Sequence, residues 1–181
     1  EGSCETDLVL FYTCLYHTLL DPRIAADADG RFRLHDGVHS DAGYVQRTLF
    51  SGWDVYRSEF PLLTLIRPDM VSDTINSLLA VARSQNSSIP RFELNGVNVP
   101  TMNGDAGVII GADAYCKGIR DFDADGFFAR AMAAAVSSAV AAFMASSDTK
   151  ASNSARLRFG PMPSILSSSD IRAFFALRLR W

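Results

Sequence analysis

Cysteine and histidine are both scarce in this chain of 181 residues, which contains three of each. The cysteines, Cys4, Cys14 and Cys116, form no CxxC pair, and no Cys/His set has the spacing of a zinc site. This pattern excludes the small zinc-binding domains. Free cysteine is among the most buried residue types. We therefore expect the three cysteines to be small buried apolar side chains.

The sequence has neither a strong charge imbalance nor a long apolar run. Its formal net charge is −3, so no basic surface of the nucleic-acid-binding kind is expected. The longest uncharged run, residues 131–147, falls short of the ~20 apolar residues of a membrane span, and we expect a buried or half-buried helix instead. The chain begins with Glu1 and shows no signal peptide, which suggests a processed product or a fragment.

Helical periodicity dominates what is present. Apolar residues recur at helical spacing over 7–20, and a second helical stretch is predicted over 48–66, interrupted at Pro61. Further helices are predicted over 105–118 and from 123 to about 147.

The clearest amphipathic helix is the one that follows Pro68. Proline suits the first turn of a helix, and the pattern ends near Ser84. The apolar stripe consists of Val71, Ile75, Leu78 and Leu79.

The remaining segments indicate loops. Residues 21–47 are predicted to form loops with a small hairpin, and 85–104 an irregular segment. No strand run with strict alternation stands out, so the predicted class is mainly α, with long loops of the kind that carry sites. We predict a helical domain over 1–147. Residues 148–181 form a serine-rich tail of unknown structure.

Seven strings, in this order and spacing, resemble glycoside hydrolase family 92. They are FYTCLYHTLL at 11–20, HDGVH at 35–39, TLFSGWDVYR at 48–57, FPLLTLI at 60–66, IPRFEL at 89–94, MNGD at 102–105 and ADAYCKGI at 112–119.

The resemblance implies a β-sandwich followed by an (α/α)6 barrel, with the strings in the first part of the barrel. It also implies removal of terminal α-linked mannose from a glycan, with α-1,2 linkage preferred, by an inverting mechanism that depends on bound calcium. Members are usually exported, so a secreted or extracytoplasmic location is expected. A barrel of twelve helices of ~11–12 residues each, with loops, needs well over 181 residues. We therefore expect 1–147 to be a partial barrel that is inactive alone.

Glu93 is the expected catalytic residue. It occupies the glutamate position of the family's Pro-basic-Trp-Glu-Leu string, where the glutamate is the general acid, and Phe92 replaces the tryptophan. An apolar surround would have to raise its pKa so that it holds a proton near neutral pH. The catalytic base belongs to a Gly-Asn-Asp-Asp string that this chain lacks, and most calcium ligands are expected beyond residue 181. A solvated loop glutamate is the alternative for Glu93.

Trp53, Asp54, Arg57 and Asp105 are the expected substrate-binding residues. An aromatic face packs against a sugar ring, and the adjacent carboxylate accepts two hydroxyls, with Arg57 one turn on to orient Asp54. The alternative is a buried core tryptophan beside a surface ion pair. Asp105 also stands at a predicted helix start, where it could simply cap the helix. The family often has a histidine after that aspartate, whereas this chain has Ala106.

Residues 121–126 match the opening of an EF-hand calcium loop, but its twelfth position is Met132 instead of a glutamate. Capping of the following helix is the better explanation for these aspartates. Two hypotheses remain for the whole chain. It is a piece of a calcium-dependent α-mannosidase, or it is a non-catalytic carbohydrate-binding pseudoenzyme or truncated remnant.

Overall fold

The computed structural model describes residues 4–40, 43–133 and 135. Helices make up about half of these residues, in line with the mainly α prediction. They are α1 (Glu5–Thr18), α2 (Gly52–Val55), α3 (Glu59–Ile66), α4 (Pro68–Ser84), α5 (Ala106–Cys116) and α6, which covers 124–133. The predicted continuation of α6 to about 147, and the predicted tail over 148–181, lie outside the described residues.

Seven short strands form three small antiparallel sheets within the described residues. The strands are β1 (Arg23–Ile24), β2 (Phe32–Leu34), β3 (Gly37–His39), β4 (Arg47–Thr48), β5 (Phe50–Ser51), β6 (Phe92–Leu94) and β7 (Val97–Asn98). β1 pairs with β4, β2 pairs with β3, and the third sheet has the order β5-β6-β7. The β2–β3 pair is the small hairpin predicted within 21–47.

The core is built around α4, which packs against α3 and α5. The predicted stripe of α4 is almost completely inaccessible to solvent, and Pro68 occupies the first turn as expected. Burial of each such aliphatic side chain contributes roughly 1.5–3 kcal/mol. Aromatic rings from β5, α3 and α6, among them Phe50, Phe60 and Phe127, complete the same core.

The prediction of a helix over 48–66 is wrong in its first part. Leu49 has a φ of 65°, a left-handed conformation that an α-helix does not accommodate, and β4 and β5 flank it. The helical region starts only at Gly52. Pro61 does not interrupt α3, because it lies in the first turn, where a helix needs no hydrogen bond from the backbone N–H.

The segment 85–104 is more ordered than predicted, because it contains the β6–β7 hairpin. Asn95 and Gly96 form its turn with φ angles of 51° and 78°, the signature of a type I′ turn. Asn-Gly is the residue pair that this turn favours.

Helix α1 has no buried residue and contributes none to the core cluster. Its exposed side chains include Leu8, Val9, Phe11 and Tyr12. The prediction of buried cysteines is wrong, since Cys4, Cys14 and Cys116 are all exposed. Cys4 precedes the first turn of α1, Cys14 lies within this helix of exposed residues and Cys116 ends α5, and the described residues around these positions leave all three exposed. No helix among the described residues is long and apolar enough to cross a membrane.

Candidate active site

Two of the family-like strings, 48–57 and 89–94, meet the start of α5 at Gly52. Strand β5 pairs with β6, so that Phe50 lies opposite Glu93 and Ser51 opposite Phe92, and the Gly52 N–H then donates to the Arg91 carbonyl at 3.1 Å. A Cβ atom on Gly52 would lie 2.7 Å from both the Arg91 oxygen and the Cβ of Ala106. The close approach of the three segments therefore requires glycine at this position.

Glu93 is buried in the middle of the β5-β6-β7 sheet and is 1% exposed. Its Oε1 accepts hydrogen bonds from the Thr48 hydroxyl at 2.9 Å and from the Gly96 N–H at 2.6 Å. Burial raises the pKa of the Glu93 carboxyl above its ordinary value, and these hydrogen bonds oppose the rise. The alternative of a solvated loop glutamate is wrong, because the carboxyl is desolvated and held by defined donors.

Trp53 and Asp54 begin the short helix α2 beside this sheet. Trp53 is 56% exposed, which contradicts the alternative of a buried core tryptophan and leaves its indole available for contact. Asp54 accepts a hydrogen bond from the Ser51 hydroxyl. This bond fixes the carboxylate against the end of β5.

Arg57 does not orient Asp54, contrary to the prediction. Its Nε donates to the Tyr56 hydroxyl at 2.6 Å, and its guanidinium lies 5.2 Å from the centre of the Tyr56 ring. The aromatic neighbour supplies both a hydrogen-bond acceptor and a π face to the guanidinium.

Asp105 stands immediately before α5, at the predicted helix start, but its side chain makes no capping hydrogen bond. Its Oδ1 instead accepts from the Nε of Arg91 at 3.3 Å. The contact joins the start of α5 to the segment that carries Glu93. Both side chains are about half exposed or more, so the pair contributes little to stability by itself.

The acidic segment 121–126 caps α6, as expected. Asp123 accepts a hydrogen bond from the Gly126 N–H at 2.9 Å and forms an ion pair with Arg83. Among the described residues, no group of three or more His, Cys, Asp or Glu side chains could hold a metal ion. The part of the chain that the structure describes therefore does not fit the calcium ion that the family resemblance implies.

Sequence reasoning missed two residues that hold the Glu93 carboxyl. Gly96 could have been found, because the Asn-Gly pair that begins two residues after Glu93 marks a tight hairpin turn. Thr48 had no comparable signal, since its contact with Glu93 depends on the pairing of two strands far apart in the sequence.

Comparisons with known proteins support the family resemblance that the sequence strings indicated. The chain matches the glycosyl hydrolase family 92 catalytic domain over residues 1–167. It is similar to the family GH92 α-mannosidase BT3965 from Bacteroides thetaiotaomicron, solved with and without mannoimidazole, at 32% identity and a TM-score of 0.65. That alignment covers 69% of this chain and 17% of the other.

The family GH92 inverting mannosidase BT2199 from Bacteroides thetaiotaomicron VPI-5482 is 30% identical, with a TM-score of 0.61. Here 72% of this chain aligns with 18% of the relative, so the chain spans less than a fifth of the length of either mannosidase. No protein of curated function matches the chain. The match over residues 1–167 shows that the chain belongs to glycosyl hydrolase family 92.

Proposed function

We propose that this chain supplies the general-acid side of the catalytic domain of an inverting α-mannosidase. The substrate is a glycan with terminal α-linked mannose, with α-1,2 linkage preferred. The observation that carries the proposal is the buried Glu93 carboxyl with its raised pKa, on a strand paired with β5, which leads directly into the helix of the exposed Trp53 and of Asp54. Family membership and the two similar mannosidases support it.

In this mechanism, Glu93 donates a proton to the leaving oxygen. Inversion requires a second carboxyl group ~6.5–9.5 Å away that activates water. No Gly-Asn-Asp-Asp string is present in the chain, so the base is expected from another part of the protein. The leaving oxygen must reach a carboxyl that is now 1% exposed. The β6–β7 hairpin must therefore open this carboxyl to the substrate in the active assembly.

The sugar contacts follow from exposure and charge. The exposed indole of Trp53 packs against the apolar face of the ring, and Asp54 accepts hydroxyl hydrogen bonds in exchange for that of Ser51. Arg91 and Asp105 hold the Glu93 segment against α5. In this proposal Arg57 does not contact the sugar; it holds the Tyr56 side chain in place through a hydrogen bond to the hydroxyl.

Residues 1–147 are proposed to form the first part of an (α/α)6 barrel. The exposed apolar side chains of α1 support this, because such a face is normally covered by a neighbouring helix. Calcium is proposed to bind outside the described residues, and no catalytic step is assigned to it. We also propose a secreted or extracytoplasmic location.

The second candidate is a non-catalytic carbohydrate-binding protein or remnant. The hydrogen bonds of Glu93 favour this second candidate, because they already satisfy Oε1 at a position that is buried from solvent. A carboxyl with these contacts can have a purely structural role, in which it stabilises the β6–β7 hairpin.

The first test is an activity assay of the purified chain on an aryl α-mannoside and on mannobiose, with and without added calcium. We expect no turnover above the blank, because one of the two catalytic carboxyl groups is missing. Robust turnover would contradict the assignment of the base to another part of the protein.

The second test separates the two candidates, in a reading frame that contains this chain and a Gly-Asn-Asp-Asp string. Glu93→Gln keeps the size of the side chain but removes the proton. It should strongly slow hydrolysis of mannobiose, whose leaving group needs protonation. An aryl mannoside with a very acidic phenol should be affected far less. Glu5→Gln, on the exposed α1, is the matched control. Equal losses on both substrates would reduce Glu93 to a structural or binding role.

A further inference from the structure

The loop after α4 contains the sequence Asn86-Ser87-Ser88, which has the Asn-x-Ser/Thr pattern of an acceptor sequence for an N-linked glycan. The middle residue is not proline, which would disable the pattern. No other asparagine of the sequence is followed two positions later by serine or threonine. A glycan is bulky and must remain in solvent. The place of these side chains in the fold therefore decides whether the sequence can act as a site.

Asn86 lies at the surface, directly after the last turn of α4. Its backbone N–H donates to the Arg83 carbonyl at 3.2 Å, and its φ is 47°. Asparagine is one of the residues that accept this left-handed conformation at the end of a helix. Asn86 is exposed, and its side-chain amide makes no hydrogen bond within the part of the chain that the structure describes. The amide nitrogen is therefore accessible.

Ser88 has a hydroxyl that the local structure does not use. The residue is exposed, and its hydroxyl makes no hydrogen bond to any described residue. The hydroxyl of Ser87, in contrast, donates to the Ser88 carbonyl at 3.1 Å and accepts from the Asn98 amide at 3.2 Å. The left-handed helix end explains an asparagine at position 86, but it does not explain a hydroxyl at position 88. The acceptor sequence requires both.

The loop lies far from the surface that a neighbouring barrel helix would cover. Helix α4 has 17 residues, so its two ends are about 25 Å apart. Arg67, directly before α4, lines the apolar groove between α1 and α3, whereas Asn86 follows the other end of α4. A glycan on Asn86 is therefore compatible with a helix packed into that groove.

The loop is also placed away from the proposed sugar contacts. The Asn98 N–H donates to Gln85 Oε1 at 2.7 Å, which joins the loop to β7. Strand β7 is the edge of the β5-β6-β7 sheet opposite to β5, the strand that leads into the helix of Trp53. A glycan on the loop therefore starts at the far edge of the sheet.

We propose that Asn86 is the attachment site of an N-linked oligosaccharide. The donor is an oligosaccharide linked to a lipid pyrophosphate. Asn86 Nδ2 forms a bond to the anomeric carbon of the donor, the bond between that carbon and the pyrophosphate oxygen breaks, and the lipid pyrophosphate leaves with the bonding electrons. The amide gives one proton to the transferase that catalyses the step. The inference rests on the extracytoplasmic location proposed above and is independent of the mannosidase reaction.

The experiment is expression of the full chain behind a supplied export signal in a eukaryotic host, with mass spectrometry of the chain recovered from cells and medium. We expect an oligosaccharide on the peptide that contains Asn86. Peptide N-glycosidase should release it with conversion of Asn86 to aspartate, as completely from the native chain as from the urea-unfolded chain, because Asn86 is exposed. An exported chain without this glycan, or a glycan released only after unfolding, would overturn the proposal.

Two serine variants separate the acceptor sequence from the loop that contains it. Ser88→Ala removes the required hydroxyl and should abolish the glycan, whereas Ser87→Ala is the matched control and should keep it, because alanine is allowed in the middle position. Asn86→Asp tolerates the left-handed conformation and should abolish the glycan as well. A glycan that persists in Ser88→Ala, or one that is lost in both serine variants, would contradict recognition of this sequence. Because the readout is a mass, failure here leaves the proposed reaction untouched.

Discussion

Thr48→Val tests how the Glu93 carboxyl is held. The Thr48 hydroxyl donates to Glu93 Oε1 at 2.9 Å and accepts from the Asn95 N–H at 2.7 Å. Valine has nearly the same shape but can do neither. Thr48→Ser keeps the hydroxyl and loses only a methyl group, so it is the matched control.

The expected loss follows from burial. Thr48 is 5% exposed and Glu93 1%, so water cannot replace the missing hydroxyl at the carboxyl. Hydrogen bonds to charged groups contribute about 1.5–3 kcal/mol. Asn95 is an exposed residue, so we expect the loss of its N–H bond to Thr48 to contribute less than the loss at Glu93. We expect Thr48→Val to lower the free energy of unfolding by about 2–3 kcal/mol at pH 8.

The loss should depend on pH in a defined direction. Burial raises the pKa of Glu93, and the Thr48 hydrogen bond is one of the contacts that oppose the rise. Removing this bond raises the folded-state pKa further. The folded state then holds the proton more tightly than the unfolded chain, so stability falls as pH increases through the folded-state pKa. The loss should be smaller below the ordinary carboxyl pKa, where Glu93 is protonated in both states.

Urea unfolding of the unmodified chain, Thr48→Val and Thr48→Ser at pH 4 and pH 8 measures this effect. Thr48→Ser should remain within about 1 kcal/mol of the unmodified chain at both pH values, because it deletes a single methyl group. Equal losses for the two variants would show that packing of the methyl group matters and the hydroxyl does not. A loss for Thr48→Val that is the same at both pH values would refute the link to Glu93 ionisation.

Three further variants test the frame around the site by equilibrium unfolding. Arg47→Met should cost about 3–5 kcal/mol, because the buried guanidinium lies 3.3 Å from Asp73 and its loss leaves that carboxylate without its ion-pair partner, with only the Val45 N–H still donating to it. Arg47→Met with Asp73→Leu should cost less than the sum of the single changes. Gly52→Ala should cost about 1–3 kcal/mol from overpacking, and a neutral effect would contradict the close approach of the three segments. Asp123→Ala should cost about 1 kcal/mol through the lost cap to Gly126, and an unchanged midpoint would contradict capping.

Local patterns were sufficient to predict the long helices. The stripe of α4 repeats every three or four residues and Pro68 marks its start, so neither feature depends on distant contacts. The start of α5 was predicted for the same reason. The exposed cysteines were predicted wrongly, because exposure depends on which neighbours pack against α1, and α1 has no buried residue.

The strands and the site depended on contacts between distant segments. Strand β5 has two residues and is stabilised by pairing with β6, a partner that no local pattern around residue 50 reveals. The family resemblance indicated Glu93 as a site residue, but its burial and its donors required the fold. The partner of Arg57 was likewise not predictable from local sequence. Helical spacing suggested Asp54, whereas in the structure Arg57 contacts the Tyr56 side chain.

Two departures from the family pattern lie beside Ser51 and Gly52. Phe92 replaces a tryptophan next to Glu93 and pairs with Ser51, while Ala106 replaces the frequent histidine and faces Gly52. Both departures put a smaller side chain close to Gly52 and its neighbour Ser51. An indole wall is therefore not what raises the pKa of Glu93 in this chain. Enclosure of its carboxyl within the β5-β6-β7 sheet produces the rise, and Thr48 and Gly96 limit it.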